Sequence, residues 1–168
     1  NFNGTPIMSR TGHSYIKSKI IETNALLGGE MSGHIFFNDD WYGFDDAIYS
    51  ALRMIEILSK TESTSYEVFS SYPKHFSTPE INLKVPEEKK FKIIDELKTL
   101  INSSGYELID IDGIRLENEN SWGLVRASNT SPNLVLRFEG RTQSDLLEIK
   151  NYFKEILSKI EIDLQLDF

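Results

Sequence analysis

The sequence predicts an α/β segment over residues 1–70, read as the C-terminal part of a larger α/β domain. Over residues 71–168 it predicts a small α+β domain with one antiparallel sheet and two helices on a single face. Three observations carry this. Between Ser59 and Pro86 the texture turns to Ser, Thr, Glu and Tyr around Pro73, Pro79 and Pro86, which marks a boundary near residue 70. Beyond it, apolar periodicity runs helix, hairpin, strand, strand, helix. Before it, a few short strands and two helices span about 60 residues, near the lower limit for a self-sufficient core.

Taken in order, Thr5-Pro6-Ile7-Met8 reads as a brief strand entering the loop Ser9-Arg10-Thr11-Gly12. An amphipathic helix follows, with Ser14 as N-cap and Ile16, Ile20 and Ile21 on one face, ending near Thr23-Asn24. Ala25-Leu26-Leu27 reads as a buried strand delivering a glycine loop over Gly29–Gly33, and His34–Phe37 as the returning strand. From Phe44 to Leu58 the residues Ala47, Ile48, Ala51, Leu52, Ile55 and Leu58 fall on one helical stripe behind Asp45 and Asp46. In the connector only Ile81–Val85 looks strand-like. The second half predicts a helix over Glu87–Ser103, a hairpin of Tyr106–Ile111 and Ile114–Leu116 about Asp112-Gly113, strands Trp122–Ala127 and Asn133–Phe138, and a helix over Ser144–Lys159.

Composition excludes several function classes. At 39% hydrophobic and 26% charged, with ten Phe and seven Tyr among 168 residues, the chain is globular rather than disordered. A formal charge of −8 speaks against a nucleic-acid partner, while leaving room for a local basic site for one small anion. The lack of cysteine rules out disulfides, thiolate metal sites and cysteine nucleophiles, and fits a cytoplasmic setting. No apolar run approaches the roughly 18 residues of a membrane span. A start at Asn1-Phe2-Asn3-Gly4, with neither initiator Met nor signal-peptide pattern, suggests a chain cut from something longer.

Two segments could carry chemistry. Gly28–His34 presents a carboxylate (Glu30), a hydroxyl (Ser32) and an imidazole (His34) on flexible glycines. Glu acceptors and Ser donor-acceptors suit neighbouring sugar hydroxyls, but a surface turn with a solvated Glu is the commoner origin of such a motif. In Trp122–Pro132 an apolar strand opens into a polar loop with Arg126, Ser128, Asn129 and Thr130. A guanidinium beside hydroxyl and backbone N–H donors meets a phosphate well; a plain Asn-Thr turn between strands is an equal reading. His13, at a strand-to-helix turn, could meet an anion. His75 has no constellation, and no spacing among His13, His34 and His75 resembles a zinc site, so no metal is expected on this chain. The pairs Asp39-Asp40, Asp45-Asp46 and Glu87-Glu88 read as turn and helix-start residues.

Five motifs in order, Arg10-Thr11-Gly12-His13-Ser14, Gly29-Glu30-Met31-Ser32-Gly33-His34, Gly43-Phe44-Asp45-Asp46, Ser77-Thr78-Pro79-Glu80 and Trp122–Thr130, resemble the α-D-phosphohexomutases of the bacterial phosphomannomutase/phosphoglucomutase branch. The resemblance covers nearly the whole chain and tips the first loop towards the sugar-binding reading. It implies the end of the third of four domains over residues 1–70 and the whole fourth over 71–168, with domains 1–3 of the same enzyme as partners. It implies that Glu30 and Ser32 bind sugar hydroxyls, with Met31, Gly33 and His34 completing that substrate-binding loop, and that Arg126, Ser128, Asn129 and Thr130, with Ala127 in the same substrate-binding segment, clamp the phosphate that does not react. His13 would approach the reaction centre as an assisting residue, and Lys17 follows it one helical turn later. Met31 resembles the glucose/mannose branch, so the implied ligands are glucose and mannose phosphates. The family's phosphoserine loop and its Asp-rich Mg²⁺ loop do not occur in this sequence. The resemblance therefore implies Mg²⁺ and a glucose 1,6-bisphosphate-type intermediate for the complete isomerase, but no catalytic nucleophile, cofactor or turnover for this stretch alone. A non-catalytic phosphosugar-binding module is the alternative.

Overall fold

The computed structural model describes residues 3–101, 105–160, 164, 166 and 168. The chain divides into two compact units, Asn1–Pro73 and Lys74–Phe168. Among the described residues no helix is long and apolar enough to cross a membrane.

The first unit runs α1 (His13–Thr23), β1 (Leu27–Gly29), β2 (Ile35–Phe37), α2 (Ala47–Ser59) and α3 (Ser65–Ser70). One helical turn apart, Ile16 and Ile20 bury against the hairpin and form a small cluster with the fully buried Phe36. The close approach is set by Gly28, where a Cβ would lie 2.9 Å from Ile16 Cγ2 and from Ile20 Cδ1. α1 stops at Asn24, whose left-handed backbone (φ 52°, ψ 36°) lets its N–H bond to the Ile20 carbonyl. β1 and β2 pair antiparallel, with Leu27 opposite Phe37 and Gly29 opposite Ile35. Asp46 caps α2 by accepting the Tyr49 amide at 2.9 Å. Arg53, on α2, reaches Asp39 at 2.9 Å and lies over the Phe37 ring at 4.7 Å, tying helix to hairpin.

Five expectations change here. Thr5–Met8 is not a strand: no described residue pairs with it, and without a ladder partner an extended run has no sheet to join. Gly12, at φ 126°, occupies the N-cap of α1, and Ser14 falls inside the first turn. Leu26 and Leu27 are exposed rather than buried, because α1 covers only the hairpin face that carries Gly28. The stripe of α2 forms as a helix face, but no residue of α2 is buried. An additional helix, α3, stands inside the stretch read as connector; Thr64 and Glu67 form a capping box at its start.

The second unit contains β3 (Phe76–Ser77), β4 (Ile81–Lys84), α4 (Lys90–Leu100), β5 (Glu107–Ile109), β6 (Ile114–Glu117), β7 (Ser121–Ala127), β8 (Asn133–Gly140) and α5 (Gln143–Ser158). Its antiparallel sheet has the order β3-β8-β7-β6-β5, and β4 also pairs with β8. The strands alternate. Ile114, Leu116, Val125, Leu134, Leu136 and Phe138 point into one core with Ile93 and Leu97 of α4 and Ile149, Phe153 and Leu157 of α5. α5 starts with a Thr142–Asp145 capping box and lies so close to β8 that a Cβ on Gly140 would overlap the backbone of Leu146. With both helices on one face, the opposite face presents Arg115, Trp122, Leu124, Arg126, Arg137 and Glu139.

Phe153 is fully buried with its ring 5.3 Å from that of Phe138. Phe153→Ala should cost about 3–5 kcal/mol in urea denaturation of the second unit, the usual range for deleting a buried aromatic ring. In the first unit the Asp39 carboxyl is held below the usual carboxylate range, first by the Asp40 backbone N–H and then by Arg53. A carboxyl depressed in the folded state adds stability that is complete above its unfolded value and lost as pH falls through the folded one. The stability gap between wild type and Asp39→Asn should therefore be full at neutral pH and close below about pH 4.

Candidate functional site

Each unit gathers one polar cluster. In the first, residues Glu30–Gly33 form the turn that joins β1 to β2: the Glu30 amide donates to the His34 carbonyl at 2.9 Å, and the Gly33 amide to the Glu30 carbonyl at 3.0 Å. Gly33 closes it at φ 92°, a region open to glycine at little cost. Met31 and Ser32 stand exposed at the tip. The Gly12 amide donates to Glu30 Oε1 at 2.6 Å, so the carboxylate sits at the positive end of α1 and draws Arg10–His13 onto the loop. Oε2 of Glu30 faces no donor among the described residues.

Asp45 joins the two imidazoles. Its Oδ2 lies 2.7 Å from His34 Nδ1 and 3.2 Å from His13 Nε2, while Oδ1 accepts the Ile35 amide at 3.3 Å. The rings of His13 and His34 meet edge to face with centroids 4.5 Å apart, and His13 also stands edge-on to Phe36. Both imidazoles remain about half exposed, at 53% and 43%. The cluster can therefore exchange a proton with a bound molecule or hold its hydroxyls, with the Ser32 hydroxyl and the open Glu30 oxygen on the same turn. Trp41, adjacent in sequence, stacks on Tyr49 at 4.3 Å and donates to Asp46 at 3.2 Å, so its packing serves the start of α2.

In the second unit, β7 ends in the loop Ala127–Pro132. Ser128 Oγ is the hub. It accepts from the Thr130 amide at 3.3 Å, the Ser131 amide at 3.2 Å and the Ser131 hydroxyl at 2.8 Å. The Ser128 amide bonds across to the Asn133 carbonyl at 2.9 Å. Lys90, whose side chain is only 3% exposed, braces the far side. Its Nζ donates to the Ser131 carbonyl at 3.3 Å and pairs with Glu87 at 2.6 Å. Under the strand end lies Gly113 (φ 88°), where a Cβ would overlap the Val125 carbonyl and the Arg126 backbone. Asn129 and Thr130 are exposed at the tip, Ala127 is in the core, and no carboxylate among the described residues engages the Arg126 guanidinium.

The first cluster thus unites His13, Glu30 and His34, and the loop of the second carries Arg126 through Thr130. The oxygen of the Ser128 hydroxyl accepts the bonds that shape this loop. Three further residues join these clusters without having been assigned to a site from the sequence. Asp45 was read as a helix-start residue, yet Asp46 alone caps α2, and the surplus acid beside a complete N-cap was the available signal. Lys90 holds the second loop. Arg137, diagonal to Arg126 in the β7–β8 register, keeps a buried Nε with no partner among the described residues, an uncommon state for a buried donor.

A family model described as phosphoglucomutase/phosphomannomutase, alpha/beta/alpha domain III, matches residues 1–76. A second, described as the C-terminal domain of phosphoglucomutase/phosphomannomutase, matches residues 80–156. A phosphomannomutase/phosphoglucomutase of Pseudomonas putida is 52% identical over 165 residues, covering 98% of this chain and 36% of the relative. A phosphoglucomutase of Neisseria meningitidis serogroup A is 49% identical over 156 residues, covering 92% of this chain and 34% of the relative. The crystal structure of a phosphoglucomutase/phosphomannomutase family protein from Burkholderia thailandensis superposes with a TM-score of 0.85 at 42% identity, covering 95% of this chain and 34% of that one. The chain spans about a third of the length of these relatives.

Ser128→Ala removes the acceptor shared by the Thr130 and Ser131 amides. Hydrogen exchange at those two amides should accelerate about fivefold, the equivalent of one ordinary hydrogen bond, with core amides of β7 unchanged.

Proposed function

The chain belongs to the phosphoglucomutase/phosphomannomutase family, and from that premise we propose that it supplies a sugar-hydroxyl loop and a phosphate loop to a phosphohexomutase that interconverts hexose 1-phosphates and hexose 6-phosphates. The observation that carries the reading is Arg126. Its guanidinium stands at the end of β7 without a carboxylate partner among the described residues, next to the donors of a loop that Ser128 holds in shape. A guanidinium with two N–H groups in one plane matches two phosphate oxygens, and the exposed Asn129 and Thr130 side chains add neutral donors. In this reading the clamped phosphate is the one that is not transferred.

The turn over Glu30–Gly33 reads the sugar. Glu30 keeps one oxygen free for a hydroxyl, Ser32 offers a donor and an acceptor, and His34 and His13 stand ready to pass a proton to or from a hydroxyl at the reacting end. The preferred ligands in this reading are glucose and mannose phosphates, and the setting is the cytoplasm. Phosphoryl transfer also needs a nucleophile and a divalent ion that neutralises the transferring group. The sequence holds neither the phosphoserine motif nor the Asp-rich metal motif, and the His13, His34 and Asp45 donors suit Mg²⁺ poorly, since that ion prefers an all-oxygen octahedron. No transfer step is therefore assigned to this chain; it binds and orients, and other domains of the enzyme supply the reacting phosphate.

Arg126→Ala in the complete enzyme should raise the KM for glucose 1-phosphate by about 10–100-fold, the value of a charge-assisted hydrogen bond pair, with a smaller change in kcat. A KM equal to wild type would overturn the phosphate-clamp assignment.

A further inference from the structure

We propose that His13, His34 and Asp45 form a binding site for a single Zn²⁺-class ion. Three elements that are distant in sequence bring their donor atoms together: the first residue of α1, the residue before β2, and the residue before the N-cap of α2. One donor atom from each residue lies within 4.8 Å of the other two. His13 Nε2 is 3.2 Å from Asp45 Oδ2, and His34 Nδ1 is 2.7 Å from the same oxygen. With zinc bonds of about 2.0–2.2 Å, tetrahedral ligands sit about 3.3 Å apart. The first spacing already matches, the second has to open by about 0.6 Å, and the two imidazole nitrogens, within 4.8 Å of each other, have to settle to the same spacing.

The chemistry of the donor set selects the ion. Two imidazoles and one carboxylate are the ligand types of open zinc sites, with the fourth position left to water or to a ligand. Oxygen-seeking Mg²⁺ and Ca²⁺ are disfavoured by the two nitrogens. A second ring of contacts is present as well. Asp45 Oδ1 accepts the Ile35 amide, which fixes the carboxylate plane, and His13 is held edge-on by Phe36. Among the described residues no Lys or Arg forms an ion pair with Asp45. In the metal-free state His34 Nδ1 and Asp45 Oδ2 are hydrogen-bonded at 2.7 Å, and ion binding at these atoms replaces that bond. α1 and α2 both begin next to this spot, so their positive ends oppose the charge of the ion and weaken its binding. The half-exposed imidazoles leave the ion open to solvent on one side. The same imidazoles serve the sugar site under the proposed function, so zinc and phosphosugar should compete; metal binding itself does not depend on that function.

The test is a Co²⁺ titration of the full chain without sugar, followed by visible absorption, with Zn²⁺ displacement and calorimetry as the affinity readout. One ion per chain with an intense visible Co²⁺ d–d band is expected, the signature of a four- or five-coordinate site. His34→Asn and Asp45→Asn should each weaken binding by at least about tenfold, whereas His75→Asn should leave it unchanged. Far-UV circular dichroism checks that each variant folds. Independently of any variant, the Co²⁺-loaded wild type should show two hyperfine-shifted exchangeable imidazole protons, one from each histidine. Absence of the band, binding that survives both His34→Asn and Asp45→Asn, or a count other than two shifted protons would overturn the proposal.

Discussion

One carboxylate oxygen organises the first unit. Asp45 Oδ2 receives His13 from the start of α1 and His34 from the edge of β2, while Oδ1 holds the amide of Ile35. The apolar cluster beneath is small, only Ile16, Ile20 and Phe36 with Ala25 at its margin. A cluster of this size contributes a few kcal/mol at about 25 cal/mol per Å² of buried apolar surface. Relative placement of α1, the hairpin and α2 therefore leans on polar contacts: Asp45 with the imidazoles, Glu30 with the Gly12 amide, and Arg53 with Asp39. The side chains that a ligand would meet are the ones that hold the elements together, so fold and site share one set of bonds.

The second unit is built the other way round. A single apolar core of sheet and two helices fixes β7 and β8 over a seven-residue register, and the loop between them inherits its position from that register. Polar contacts refine what the core has placed. Ser128 shapes the loop from inside, Lys90 braces it from α4, and Gly113 lets the β5–β6 turn press against the Arg126 backbone. Among the described residues no carboxylate pairs with the Arg126 guanidinium, which leaves it suited to an anion under the proposed function. A buried cation such as Lys90 is costly without partners, and the Glu87 carboxylate and Ser131 carbonyl offset that cost.

Much of this was legible in the sequence. Alternation over Trp122–Ala127 and Asn133–Phe138, the Asp112-Gly113 turn and the periodicity of the terminal helix gave the second unit nearly element by element, because local pattern and burial agree there. The first unit was less legible for a physical reason. A three-residue strand carries almost no periodicity, so Leu26 and Leu27 looked like a buried run although only the Gly28 face meets α1. The Thr5–Met8 run has strand composition but no neighbour, and β structure exists only as pairs. The α3 capping box was written in Thr64 and Glu67, yet it was masked by a stretch of polar, Pro-rich residues.

By itself the sequence determined the two-part organisation and the core of the second unit, since each rests on local periodicity or composition. Only the tertiary structure decided which distant residues act together. Glu30 meets the Gly12 amide across 18 positions, Lys90 reaches Ser131 across 41, and Asp45 joins His13 to His34. A side-chain contact between separate elements depends on how those elements cross. That crossing is set by packing at points such as Gly28 and Gly113, and no spacing along the chain encodes it.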